Sequence, residues 1–186
     1  EQQTGARNVA LGFPNQLAIP GHKRVGWSTC EPISFFERIP ATVEIKNDFL
    51  LQDITENELI KIEEIWRINN LDSTFCIVKN ESYFKWRYLD RPQIGRRYLL
   101  KGVLKDNNFV GYMVLSHFFE KNKMHIVDII ANIPEAYSFL ILNACNLAHD
   151  YCTSTINVWG SPILKPFIMN HGFSLSGVET RLIVKD

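Results

Sequence analysis

Residues 97–131, RYLLKGVLKDNNFVGYMVLSHFFEKNKMHIVDIIA, decide the fold. Arg97 to Lys105, Phe109 to Phe119 and Met124 to Ala131 are rich in aromatic and β-branched residues, and Asp106-Asn107-Asn108 and Glu120-Lys121-Asn122-Lys123 separate them. Links that short predict hairpins, hence three consecutive antiparallel strands. Pro134 suits the first turn of a helix reaching about Tyr151, whose Leu140, Ala144, Leu147, Ala148 and Tyr151 form a wide apolar face. Ile156 to Gly160 reads as the next strand, Pro162 to Asn170 as a short helix and Leu175 to Lys185 as the last strand.

Upstream of the meander, alternation in Ala41-Thr42-Val43-Glu44-Ile45-Lys46 predicts a strand. Thr55-Glu56-Asn57-Glu58 then offers a capping box ahead of Leu59, Ile62, Ile65, Trp66 and Ile68, an amphipathic helix of about four turns. A second helix starts at Asn80, carries Tyr83, Phe84, Trp86, Arg87 and Leu89, and stops before Pro92, because the residue preceding a proline resists the helical region. Residues 41–186 therefore form one α+β unit of order β-α-α-β-β-β-α-β-α-β.

The first 40 residues lie outside that unit. Asn8 to Phe13-Pro14 reads as a strand ending at a Gly-x-Pro corner, followed by a short segment to Gly26-Trp27 and a strand through Ile33-Ser34-Phe35-Phe36. Val158-Trp159-Gly160-Ser161-Pro162, a short helix, Gly172-Phe173 and the terminal strand repeat that plan. Residues 1–40 are accordingly read as the tail of a first repeat; chance likeness of two strand-helix-strand units is the alternative.

Composition narrows the function. Twenty Lys+Arg balance 20 Asp+Glu, which gives no reason to expect a nucleic-acid partner. The longest apolar runs, such as Phe139 to Leu142, fall far short of the roughly 18–20 residues of a bilayer span. Cys30, Cys76, Cys145 and Cys152 have no zinc-ligand spacing and read as reduced, mostly buried thiols, with Cys145 and Cys152 on one helix face. A cytoplasmic location follows. His125, His149 and His171 are isolated and predict no metal site.

The element order resembles the GNAT superfamily of acyl-CoA-dependent N-acetyltransferases, which implies a mixed, mostly antiparallel sheet flanked by helices. Tyr83-Phe84-Lys85-Trp86-Arg87-Tyr88-Leu89-Asp90-Arg91-Pro92 looks like the Trp-Arg-Tyr stretch of a bacterial, tandem-type subset, and Gly12-Phe13-Pro14-Asn15 with Gly26-Trp27 looks like the close of that subset's first lobe. The resemblance implies acetyl-CoA as co-substrate, a small-molecule amine such as an amino sugar or amino acid derivative as acceptor, and leaves a homodimer open. It places pantetheine-binding backbone at Ile129, Ile130 and Ala131. The phosphate-binding Gln/Arg-x-x-Gly-x-Gly/Ala signature is missing from Asp128 to Ala136, where Pro134 has no N–H to donate and Glu135 adds negative charge. A Gln-x-x-Gly fragment stands instead at Gln2 to Gly5, which makes Gln2 and Gly5 cofactor-binding candidates. A degenerate, non-catalytic lobe serving as a binding or assembly module is the alternative.

Direct acyl transfer needs an acceptor for the ammonium proton, donors for the oxyanion and an acid for the departing thiolate. Asp128, on the strand face expected to hold Met124, Ile126 and Ile130, is the candidate carboxylate, and Asn157 a candidate to bind substrate or water. Arg87, between Trp86 and Tyr88, is the candidate clamp for an anionic substrate group; stacking on aromatics is its alternative. No tyrosine lies within Pro162 to Asn170 to act as the acid.

Overall fold

The computed structural model describes residues 10–71 and 76–185. Its elements are β1 (Ala10–Gly12), α1 (Ile19–Arg24), β2 (Ser28–Arg38), β3 (Leu50–Asp53), α2 (Leu59–Asn69), α3 (Glu81–Phe84), β4 (Arg96–Lys105), β5 (Asn108–Phe118), β6 (Lys123–Ala131), α4 (Pro134–Asp150), β7 (Thr155–Gly160), α5 (Lys165–Asn170) and β8 (Ser174–Lys185). They build one eight-stranded sheet of order β1-β8-β2-β7-β6-β5-β4-β3, antiparallel except where β6 runs parallel to β7. From α2 onward the order of elements is the one read from the sequence; the strand before α2 is Leu50–Asp53, not the expected Ala41 to Lys46. No helix of the described residues is long and apolar enough to cross a membrane.

Both faces of the sheet are covered, which is why β5 reads as a continuous apolar run rather than an alternating one. Met113 and Leu115 point into a core completed by Leu140, Ile141 and Ala144 of α4; Tyr112 and Val114 point the other way, toward Ile62 and Trp66 of α2 and Phe84 of α3. Each fully buried side chain of this kind contributes about 1.5–3 kcal/mol. The β4–β5 hairpin closes through Asp106 and Asn107, both at positive φ (49° and 62°), as a two-residue turn between right-twisted strands requires.

Three local expectations need correction. Ala41 to Lys46 is not a strand: the Asn146 side chain bonds the Val43 backbone on both sides, accepting from its N–H (2.8 Å) and donating to its carbonyl (3.0 Å), in the place a strand partner would take. The helix opened by Asn80, whose Oδ1 accepts from the Tyr83 N–H at 2.9 Å, loosens after one turn into a π-helical run over Lys85–Leu89. Pro162 lies in a turn, and α5 opens later at Lys165, with Pro166 in its first turn. The expected capping box does form, with the Thr55 N–H donating to Glu58 at 2.9 Å.

The segment before residue 41 shares the sheet of the unit after it. β2 lies between β7 and β8, pairing Phe36 with Val158 on one side and Ile33 with Thr180 on the other. Ile33 with Thr180 sits midway between Pro32 with Arg181 and Ser34 with Glu179, so a half-turn about it exchanges β2 and β8. The same half-turn carries β1 on β8 into β7 on β2, and α1 into α5, each with proline in the first turn. Gly26 and Gly172 follow those helices at φ of 88° and 76°, values that favour glycine. Arg38 fastens β2 in place, donating to the His171 carbonyl at 2.6 Å.

Candidate functional site

β6 and β7 pair in parallel from Lys123 with Thr155 up to Ile126 with Val158, and then part. A β-bulge marks the place: Val114 pairs Asp128 and Leu115 pairs Ile126, leaving Val127 as the extra residue. A bulge bends its strand and increases the twist, which swings the end of β6 away from β7. Beyond it Ile129, Ile130 and Ala131 pair only with Met113, Tyr112 and Gly111 of β5, so their other edge faces a cleft. Ile126, Asp128, Ile129, Trp159 and Leu164 are among the residues lining a cavity of about 160 Å³ there.

The bulge also moves Asp128 to the other face. The sequence predicts it beside Met124, Ile126 and Ile130, but the extra residue shifts the phase, and Asp128 joins Ile130 on the α2 face while Met124 and Ile126 enter the α4 core. There its Oδ2 accepts from Lys79 Nζ at 2.7 Å and from the Tyr112 hydroxyl at 3.2 Å. Both members of the ion pair are largely withdrawn from solvent, with side chains 21% and 10% exposed. Burial, reinforced by the Asp128 charge, pushes Tyr112 and Tyr88 well above the usual phenol range, so both hydroxyls remain protonated. The carboxylate thus has one cationic and one neutral donor. The sequence reading missed Lys79 and Tyr112: Tyr112 shows only as one apolar position in the continuous run of β5, and Lys79 precedes the cap at Asn80 without any pattern.

Asn157 is 1% exposed and lies in a cross-strand row with His125 and Ser116. Neither Asn157 Oδ1 nor Ser116 Oγ has a hydrogen-bond partner among the described residues. Between them, the His125 ring lies against Phe35 and Phe118, with centroids 5.2 and 5.4 Å away. Burial first, then the charges of Lys123, Arg96 and Lys121, lowers its pKa to about 4, so the imidazole is neutral at physiological pH.

Arg87 stands apart from that cleft. On the π-helical run it lines a cavity of about 360 Å³ with the exposed Trp86, Asp90, Arg91 and Pro92. Its neighbour Arg91 lies 5.9 Å over the Tyr98 ring and donates to its hydroxyl at 3.4 Å, and Arg96 lies 4.3 Å over the Phe118 ring. π-helical turns recur where side chains are re-aimed at a ligand.

The start of α4 is poorly equipped for a phosphate. Its Ile133 cap has no side-chain bond, Pro134 and Glu135 open the helix, and the Ala136 N–H is turned back to the Ile133 carbonyl at 3.2 Å. The preceding Asn132 is held by Asn69 of α2 at 2.7 Å and by the Val110 carbonyl at 2.8 Å. Gln2 and Gly5 lie outside the described residues. Near α5, which has no tyrosine, the Tyr137 ring of α4 stacks on Phe167 at 5.0 Å. Cys145 is buried, but Cys152 is exposed: α4 ends at Asp150, so the shared helix face expected for this pair does not exist, and Cys30 and Cys76 are half-buried. Among the described residues no three His, Cys, Asp or Glu side chains come together as a metal site would require.

No protein-family model and no curated protein matches the chain. Among solved structures, a GCN5-related N-acetyltransferase from Anabaena variabilis matches 95% of this chain and 45% of its own, with TM-score 0.67 and 11% identity. One from Kribbella flavida matches 96% of this chain and 43% of its own, with TM-score 0.65 and 10% identity. Saccharomyces cerevisiae N-myristoyltransferase with bound myristoyl-CoA matches 82% and 47%, with TM-score 0.63 and 9% identity. The chain therefore spans less than half the length of each of these proteins. At such identities the likeness is one of architecture, and the chain has the fold of the GCN5-related N-acetyltransferases.

Proposed function

We propose that the chain is part of an acyltransferase that moves an acetyl group from acetyl-CoA to the amine of a small molecule, an amino sugar or an amino acid derivative. The observation that carries this reading is the parting of β6 and β7 after Ile126 and Val158. A strand edge without a partner offers backbone N–H and C=O groups to an extended ligand bearing amides, and the pantetheine arm of CoA is such a ligand. Ile129, Ile130 and Ala131 supply that edge. Asp128 holds the acceptor's ammonium and receives its proton; Asn157 positions substrate or water; Arg87 and its cavity take an acidic group of the acceptor. The yeast N-myristoyltransferase with bound myristoyl-CoA supports a co-substrate of the acyl-CoA class.

In the same reading residues 1–40 close a first lobe and residues 41–186 form a second, as in tandem proteins carrying the Trp-Arg-Tyr stretch. The half-turn that exchanges β2 with β8 and α1 with α5 supports it. Gln2 and Gly5, rather than the start of α4, then belong to phosphate binding.

One observation favours a second reading, a non-catalytic lobe that binds or assembles: Pro134, Glu135 and the internally bonded Ala136 N–H leave the start of α4 few donors for a pyrophosphate. Isothermal titration with acetyl-CoA separates the two. The first predicts saturable binding, lost in Gly5→Glu; no saturable heat with any acyl-CoA leaves the second.

A further inference from the structure

We propose that Lys79 is an acyl acceptor within the protein itself, a self-modification site served by the cleft between β6 and β7. The inference rests on the acyl-CoA reading above. The Lys79 ammonium occupies the place on Asp128 that an acceptor ammonium would take, 2.7 Å from Oδ2, and Asp128 is also a wall of the cavity where the strands part. The other lysines in ion pairs, Lys46, Lys85 and Lys101, pair with Glu44, Glu56 and Asp53, none of which lines that cavity. The low exposure of the pair matters: with side chains 21% and 10% exposed, the ammonium is held against the carboxylate beside the cleft rather than ranging through solvent.

The step is redox-neutral. Asp128 takes one proton from the Lys79 ammonium, and the freed lone pair of Nζ attacks the thioester carbonyl carbon. The tetrahedral intermediate collapses with cleavage of the C–S bond. The thiolate leaves with CoA and is protonated from solvent; the amide nitrogen keeps one hydrogen and sheds the other to water. The product is an Nε-acyl-lysine, which no longer carries charge. Asp128 releases the proton it took to water, retains only the Tyr112 hydroxyl as a donor, and its charge becomes available to an external ammonium. Unmodified Lys79 is thus a competitor for the acceptor's place, and acylation removes it.

The test incubates the chain with acetyl-CoA and reads intact mass and peptide maps, with acetyl-CoA binding followed by titration on the same sample. The expected result is one acetyl group on Lys79, none on Lys46, whose side chain is 80% exposed, and no mass increase in Lys79→Arg, which keeps a cation for Asp128. Asp128→Asn is expected to slow labelling of Lys79 by about a hundredfold or more, the usual loss on removing a general base. Binding without label at Lys79, label distributed over lysines by exposure, or unchanged labelling in Asp128→Asn overturns the inference and leaves the acyl-CoA reading standing. Absence of binding overturns both.

Discussion

Replacing Phe36 by alanine tests whether the segment before residue 41 is structurally part of the unit that follows. Phe36 is 1% exposed, lies on the strand between β7 and β8, and belongs to the α4 core. Its ring fills the space above Gly160, where an added Cβ would come within 2.5 Å of it. Removing the ring forfeits its transfer free energy and opens a cavity beside Gly160 and Ile168, in a packed core that relaxes only partly to fill it. The expected cost is about 3–5 kcal/mol. With an m-value of about 2 kcal/mol per M, the urea midpoint falls by roughly 1.5–2.5 M. Tryptophan fluorescence reports the transition, because Trp159 lies 4.6 Å from Phe35, the residue next to the substitution. A shift below about 0.5 M, or a separate early transition of β2 alone, would refute the reasoning, since either means that β2 does not share the cooperative core.

Gly160→Ala forces a methyl group against the Phe36 ring and is expected to cost about 1–3 kcal/mol, a penalty that shrinks in the Phe36→Leu background; equal costs in both backgrounds in urea melts would deny the contact. Asn146→Ala strips both hydrogen bonds from Val43, so about 1–3 kcal/mol of stability is lost and limited proteolysis between residues 39 and 49 speeds up; an unchanged cleavage rate contradicts the role assigned to that side chain. Because the folded protein lowers the His125 pKa from 6.5 to about 4, the unfolded chain takes up a proton first as the pH falls. The stability contributed by neutral His125 is therefore complete above pH 6.5 and is lost as the pH drops toward 4. His125→Gln is expected to flatten the stability difference between pH 7 and 4.5 by about 1–2 kcal/mol, after discounting for partial exposure, and an unaltered slope would exclude His125 as its source.

The order of elements from α2 to β8 was legible because it rests on short-range physics: hairpin links at Asp106-Asn107, a capping box at Thr55 to Glu58, proline at the start of α4. What failed depended on partners far along the chain. The alternation of Ala41 to Lys46 is real, yet whether an extended segment becomes a strand depends on what lies beside it, and here that is the Asn146 amide. The bulge at Val127 carries no residue-type signal, and it alone decides which face Asp128 occupies. Of the candidate site, Asp128 and the free edge of Ile129 to Ala131 do meet at one cleft, Asn157 lies lower in the same pair of strands, and Arg87 faces a separate cavity. Lys79 was invisible because an ion pair across 49 positions leaves no mark on local periodicity.

The place of β2 also sets an order of events during synthesis. Its bonds reach far ahead, Ser176 to Phe35 spanning 141 positions, so β2 emerges from the ribosome when neither strand that will hold it has been made. At about 5–20 residues per second it waits roughly 7–30 seconds, with Phe35 and Phe36 unprotected and both edges open to any other extended chain. The meander and α4 close early on local contacts, but the sheet between β7 and β8 stays split until β8 has been made. The fold therefore finishes between β1 and β7, and cells that make this protein quickly are expected to lose more of it to aggregation than cells that make it slowly.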